Sequence, residues 1–404
     1  MNILYFGTVC DIEKYNELIK NTNEKPSVAP IVFETALLEG FKKHDIDMEI
    51  HSFPMIPTFL NSKILFFGNT IEHLKCGYTC RWLSTINIPI LKQISRCLDA
   101  RKILKRWVEE NRENGVIVTY SIPPFLVKEI LKYKRKYNLK VIAIVPDLLR
   151  DMYINDNSES VITKLKQMYI KPALKLQVEY EGYVYLTDAM HNVVAPDKPY
   201  IVMEGIASDL PNEEIKSDDE SHPFAIMYAG MLFEKYGILN LVDAFEKLTK
   251  KNIELWLFGD GTAASEIKKR AKKDQRIKYF GSVNRETVLE YEKKASILVN
   301  TRNPKEEFTF YSFPSKTIEY MLSGTPVLTT RLNGIPEEYF KYIFSVDDNS
   351  VDSLAGAIES ILDYSKEDLD NIGMLAKQFI IEEKNSYKQI ENIIKFIKEV
   401  QCES

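Results

Sequence analysis

The sequence predicts an α/β protein with parallel sheets in two domains, and three observations lead there. Strand-like apolar runs alternate with helical patterns along nearly all of the 404 residues. Ser208–His222 interrupts this alternation with six acids (Asp209, Glu213, Glu214, Asp218, Asp219, Glu220), one lysine and no aromatic residue, the composition of an inter-domain linker. Beyond it, three strands end in glycine, at Gly230, Gly259 and Gly281, where a doubly wound sheet turns into its helices.

The elements follow in order. Ile3–Phe6 reads as the first strand. Pro30–His44 reads as a helix with Phe33, Leu37, Leu38 and Phe41 on one face. Met48–His51, Val116–Thr119 and Lys140–Val145 read as strands, the last two separated by a helix over Pro124–Tyr137. Tyr183–Leu186 and Tyr200–Met203 complete the first half. After the linker, strands are expected at Phe224–Tyr228, Ile253–Phe258, Ile277–Phe280, Ile297–Asn300 and Tyr342–Val346. Helices at Ile238–Lys250, Ala264–Lys272 and Glu286–Lys294 fall between them, the last capped by Asn284. Glu382–Val400 closes the chain as an amphipathic helix, with Tyr387, Ile390, Ile393, Ile394 and Ile397 along one stripe. The domains are therefore 1–205 and 224–381, with a linker over 206–223 and a closing helix at 382–404.

Bulk properties narrow the class. Hydrophobic residues at 45% and charged residues at 27% suit a soluble globular enzyme. A net charge of −5 gives no general reason to expect a nucleic-acid partner. Five cysteines, an odd number, do not form a disulfide framework; Cys76-x3-Cys80 lacks a second cysteine pair, so no metal site is expected. A reducing, cytoplasmic setting follows. Met1–Gly7 is a strand and turn with no basic leader, and the uncharged Val116–Val127 carries prolines and falls short of the ~20 apolar residues that span a bilayer.

The most informative stretch is Phe313–Thr330. Pro314 and Ser315 sit where a helix begins; Ile318, Met321 and Leu322 form its apolar stripe; Gly324 and Pro326 end it, and Val327–Thr330 reads as a buried strand. Free backbone N–H groups at the helix start, with Lys316 beside them, suit a phosphate. Glu319 lies one turn on, so its carboxylate can accept hydrogen bonds from the hydroxyls of the same ligand. Phosphate plus ribose means a nucleotide. Glycines at the ends of strands let a ligand approach the backbone, and equally serve tight strand-to-helix turns. There is no phosphate-binding G-x4-GK[ST] loop, and no G-x-G-x-x-G follows the first strand.

Taken in order, Tyr228-Ala-Gly230, Lys235-Tyr-Gly237, Leu241-Val-Asp-Ala-Phe245, Leu257-Phe-Gly259-Asp-Gly261, Tyr279-Phe-Gly281, Pro314-Ser-Lys316, Glu319-Tyr-Met and Gly324-Thr-Pro326-Val resemble the C-terminal half of family 4 retaining glycosyltransferases. The resemblance covers Phe224 to about Ser345; the first half matches only in strand–helix layout. It implies the GT-B fold, two Rossmann-like domains with the donor sugar nucleotide in the cleft between them, and a last helix that crosses back onto the first domain. It implies that Gly230, Gly259, Gly261 and Ser315 line the donor site, Lys235 and Lys316 hold the diphosphate, Glu319 binds the ribose and Val283 lies near the base. It implies transfer to a glycan or lipid-linked acceptor with retention, in bacterial-type surface polysaccharide or glycolipid synthesis, with no metal or other cofactor. The chain departs from the family at four places: Tyr311 stands where the first of two glutamates eight apart is frequent, Met231 where an arginine follows the first glycine, Val145-Pro146-Asp147 where many members have His-Asp, and Lys235 is one residue out of step. Asp147 either positions acceptor or sugar, or caps its turn. Glu306 and Glu307 either touch the transferred sugar or are solvated.

Lys63–Arg106 holds nine Lys/Arg against Glu72 and Asp99, interleaved with Phe59, Leu60, Ile64, Leu65, Phe66, Phe67 and Trp82. Such a stretch either rests on an anionic membrane at the inner face of the cell membrane or is a solvated helix face. Two other functions share the fold: a non-catalytic nucleotide- or glycan-binding subunit, favoured by Tyr311 and the missing histidine, and a sugar-nucleotide epimerase, disfavoured because none of the five histidines falls in the donor motifs.

Overall fold

A computed structural model describes residues 1–20, 22–23, 26–111, 115–153, 161–207 and 223–402. The chain forms two compact units, Met1–Ser208 with Ser386–Ser404, and Asp209–Asn385. Most of the linker expected at 206–223 lies outside the described residues.

In the first unit the strands run, in spatial order, Tyr200–Val202, Gly182–Tyr185, Lys140–Val145, Gly115–Tyr120, Asn2–Gly7, Met48–Ser52, Thr79–Trp82 and Ile71–His73. All neighbours are parallel except the last pair. The Val- and Ile-rich runs Gly115–Tyr120 and Lys140–Val145 are buried almost throughout, as strands covered on both faces must be. The short strands Phe66–Phe67, Ile71–His73, Thr79–Trp82 and Thr85–Ile86 were not legible, because two to four residues carry no periodicity.

The closing helix differs from its sequence expectation. It runs Ser386–Cys402, and Glu382 and Glu383 belong to the preceding helix Lys366–Glu383. The break between them is where the first unit resumes. Ile390, Ile393, Ile394 and Ile397 are buried in the first unit's core, each contributing about 1.5–3 kcal/mol of apolar burial. Tyr387 is off that stripe, exposed and stacked on His44 at 3.9 Å. The helix packs on Ala29–Lys43 so closely that a Cβ at Gly40 would lie 2.3 Å from Ile390 Cγ1.

One buried acid ties the first strand to that helix. Glu34 is fully buried and accepts hydrogen bonds from the Thr8 N–H at 2.9 Å, the Thr8 hydroxyl at 2.7 Å and the Tyr5 hydroxyl at 3.0 Å. Burial pushes its carboxyl from 4.5 to about 7, although these bonds pull the other way. The folded state therefore holds the Glu34 proton more tightly than the unfolded chain. This stability is complete below about pH 4.5 and is lost as pH rises through 7, about 3 kcal/mol in all. Urea unfolding across this range is expected to show that decline, and Glu34→Gln to flatten it.

The second unit is a six-stranded parallel sheet in the order Ile277–Gly281, Ile253–Phe258, Phe224–Ala229, Ile297–Asn300, Val327–Thr330, Phe344–Val346. The chain starts on Phe224–Ala229, builds two strands to one side, then returns to build three on the other. The strand order thus reverses between Phe224–Ala229 and Ile297–Asn300, the position where doubly wound sheets take ligands beyond their strand ends.

Candidate functional site

The glycine turns lie side by side in the second unit. The Gly230 N–H donates to Phe258 O at 3.1 Å, and the Gly259 N–H to Gly281 O at 2.8 Å. Gly259 has φ +123°, and a Cβ there would sit 1.8 Å from Gly230 O. The space it leaves is taken by backbone. Gly261 is similar, with Leu232 O 2.5 Å from where its Cβ would be. These two glycines allow the turns to stack, with Gly230 at one end of the stack.

The helix predicted after Phe313 runs Lys316–Ser323 and is pinned to that end. The buried Tyr320 hydroxyl accepts from the Ala229 N–H at 2.9 Å and donates to Ala229 O at 3.1 Å, next to Gly230. Ser315 stands at the N-cap, but its hydroxyl makes no capping bond. Gly324, with φ +76°, ends the helix in the left-handed conformation that glycine tolerates.

Lys316 and Glu319 come together, as their spacing suggested, and they do so by pairing with each other. A third residue, Glu292 of the helix Arg285–Lys294, lies 3.3 Å from Lys316 Nζ and is fully buried. Burial raises Glu292 to about 8, the attraction of Lys316 opposing and the Glu319 charge adding to the rise. Burial also works against the Glu319 carboxylate, but Lys316, a hydrogen bond from Glu292 and the charge of Arg285 outweigh it and hold Glu319 below its ordinary range. The cluster is one lysine, one carboxylate and one neutral carboxyl near pH 7, with Arg285 Nη2 3.8 Å from Glu319. Arg285 also brings the Gly281–Arg285 turn to this helix, and Val283 on it is exposed, as is Phe280, which stacks on buried Phe258 at 4.3 Å.

Lys235 sits in the exposed turn Glu234–Tyr236, its ammonium 5.3 Å from the Tyr236 ring and 5.9 Å from Phe308. Arg302 lies over the same two rings, at 5.2 Å and 5.9 Å. Among the described residues neither cation has a carboxylate partner. Arg302 follows the strand Ile297–Asn300 at the point of strand reversal, and the buried Asn300 Nδ2 beside it has no hydrogen-bond partner among the described residues. Desolvation and the nearby Tyr236 and Tyr228 act on the Arg302 guanidinium, burial prevailing downward. Glu292, Asn300 and Arg302 escaped the sequence reading. For Asn300 and Arg302 the strand-end position was a usable signal; Glu292, 24 residues from Lys316, reads alone as one more charge on a polar helix.

Asp147 belongs to the first unit, just past the strand Lys140–Val145. It is open to solvent, yet the protein around it and then Asp151 raise its carboxyl to about 6. Glu306 and Glu307 are exposed at the start of the 3-10 turn Glu307–Thr309. Among the described residues no cluster of His, Cys, Asp and Glu could hold a metal ion, and no helix is long and apolar enough to cross a membrane.

Residues 223–364 match the family model described as glycosyl transferases group 1. No curated protein matches the chain in sequence. Sucrose-phosphate synthase from Thermosynechococcus elongatus is similar in structure, with TM-score 0.66, 15% identity and all of both chains covered. A glycosyltransferase from Rickettsia africae has TM-score 0.64 at 15% identity, over 100% of this chain and 99% of that one. HepE of Anabaena, solved with UDP, has TM-score 0.63 at 14% identity, over 99% and 100%. In fold the chain is GT-B, two Rossmann-like domains, and its residues 223–364 match the model of the group 1 glycosyl transferases.

Proposed function

We propose that the protein transfers a sugar from a nucleoside-diphosphate sugar to an acceptor hydroxyl with retention, in synthesis of a surface polysaccharide or glycolipid. The observation that carries this reading is the helix start at Lys316, pinned through Tyr320 beside Gly230 and bearing Glu319. In the reaction the bond from the sugar's anomeric carbon to the diphosphate breaks, one to the acceptor oxygen forms on the same face, and the acceptor's hydroxyl proton passes to the departing diphosphate. Negative charge grows on the departing diphosphate. Lys316, Lys235, Arg302 and the positive end of the helix Lys316–Ser323 supply fixed positive charge against it. Arg302 takes the part left open by Met231. Glu319 receives the ribose hydroxyls, Val283 and Phe280 offer an apolar edge to the base, and Asp147 orients acceptor or sugar. The UDP bound to HepE makes uridine diphosphate sugars the first donors to try.

The test is release of nucleoside diphosphate from a panel of sugar nucleotides, with the product's anomeric configuration read by NMR. Turnover of one donor, retained configuration and unchanged rate in a chelator are expected, since three cations already oppose the charge. Inversion, or a rate abolished by the chelator and restored by metal, would contradict this account. Tyr311 and the absent histidine favour a second reading, a non-catalytic nucleotide-binding subunit. It predicts nucleotide binding with no turnover of any donor.

A further inference from the structure

We propose that the first domain carries a docking face for an anionic lipid bilayer, built by the turn at Leu60, the strand at Phe66 and the outer side of the helix Leu91–Glu110. Among the described residues, Leu60 at 79% and Ile90 at 76% are the two most exposed large apolar side chains, and Phe66 beside them is 70% exposed. Leu91, Ile94 and Leu98 continue the face along the helix and are also exposed. Leu60 and Ile90 are held at φ +92° and +70°, a backbone state that side chains of this kind rarely adopt. Exposure combined with strain at both points to a role outside folding.

The face is rigid. Buried Asn87 donates from Nδ2 to Pro57 O at 2.8 Å and to Ile64 O at 2.9 Å, its N–H donates to Leu65 O at 2.8 Å, and its carbonyl accepts from the Phe59 N–H at 2.7 Å. Arg96 anchors the helix from below through Pro54 O at 2.8 Å and Thr85 Oγ1 at 3.2 Å. The basic residues of the segment therefore divide. Lys92 and Arg96 are buried, and Trp82 is a core residue, so none of these contributes to a surface. Arg101, Arg106 and Lys75 pair with Glu129, Glu49 and Glu13. Lys63, Lys102 and Lys105 are exposed, with no carboxylate partner among the described residues. Glu72 and Asp99, the acids of 63–106, are buried.

An apolar face bordered by unpaired lysines complements acyl chains and anionic headgroups together. A second copy would set lysine against lysine, which disfavours self-association. The inference rests on these side chains alone and stands or falls apart from the glycosyl-transfer reading.

The test is flotation of the full chain with vesicles of phosphatidylcholine, or of phosphatidylcholine with a quarter phosphatidylglycerol. The wild type is expected to float with the anionic vesicles. Leu60→Ser/Ile90→Ser should lower partition more than tenfold, and each of Lys63→Gln, Lys102→Gln and Lys105→Gln about fivefold. Unchanged thermal unfolding would show that the variants fold. Absence of flotation, equal flotation of all variants, or a wild-type dimer abolished by Leu60→Ser/Ile90→Ser would overturn the proposal, the last assigning the face to a second copy.

Discussion

Lys316→Ala is expected to lower kcat/KM for the donor by about 10²–10³-fold, the loss that follows removal of one preorganised charge donor at a leaving group. Binding of the nucleoside diphosphate should weaken as well, by about 10–100-fold, the worth of one charge-assisted contact. The environment of Lys316 explains why the loss should show in activity more than in folding. Glu292 is already pushed toward its neutral form, so removing the lysine leaves one carboxylate and one carboxyl that can share a proton. Glu319 also keeps Arg285 at 3.8 Å. Steady-state kinetics beside a thermal unfolding curve checks both parts. Full activity in the alanine variant would remove Lys316 from the reaction.

Gly259→Ala is expected to destabilise the second unit by more than about 4 kcal/mol. The new methyl would meet Gly230 O, a backbone atom that cannot swing away, at 1.8 Å, and φ +123° is hostile to any side chain. Relief requires the Gly230 turn to move, and that turn holds the Tyr320 contact with the helix Lys316–Ser323. Loss of nucleotide binding should therefore accompany the fall in stability. Gly356→Ala supplies the contrast. It lies in the exposed middle of the helix Val351–Ile361 with nothing within 4 Å of its Cβ, so it should gain about 0.5–1 kcal/mol. An unfolding midpoint unmoved by Gly259→Ala would contradict the stacked-turn account.

The second unit was nearly legible because its elements are local. Ile253–Phe258, Ile297–Asn300 and Val327–Thr330 end where their apolar runs end, and Asn284 accepts from the Thr287 N–H at 2.8 Å as a cap should. The first unit was harder. Its edge strands are too short to show a period, and Ile12–Ile19 carries polar residues that blur its helical stripe, as Lys366–Glu383 does in the second unit. At the site, Lys316 and Glu319 announced themselves by spacing within one helical turn. Glu292 did not, because what makes it unusual is burial, and burial follows from the packing of two helices. Arg302 was hidden for a related reason: what marks it is the aromatic pair it shares with Lys235, and those rings come from two separate turns.

The measurement that bears most directly on the account is calorimetric titration of the protein with UDP and then the other nucleoside diphosphates, beside Lys316→Ala and Glu319→Ala. One nucleotide is expected to bind, and each variant to weaken that binding at least tenfold with the fold intact. A folded wild-type protein that binds none of them, or variants that bind as well as the wild type, would contradict it.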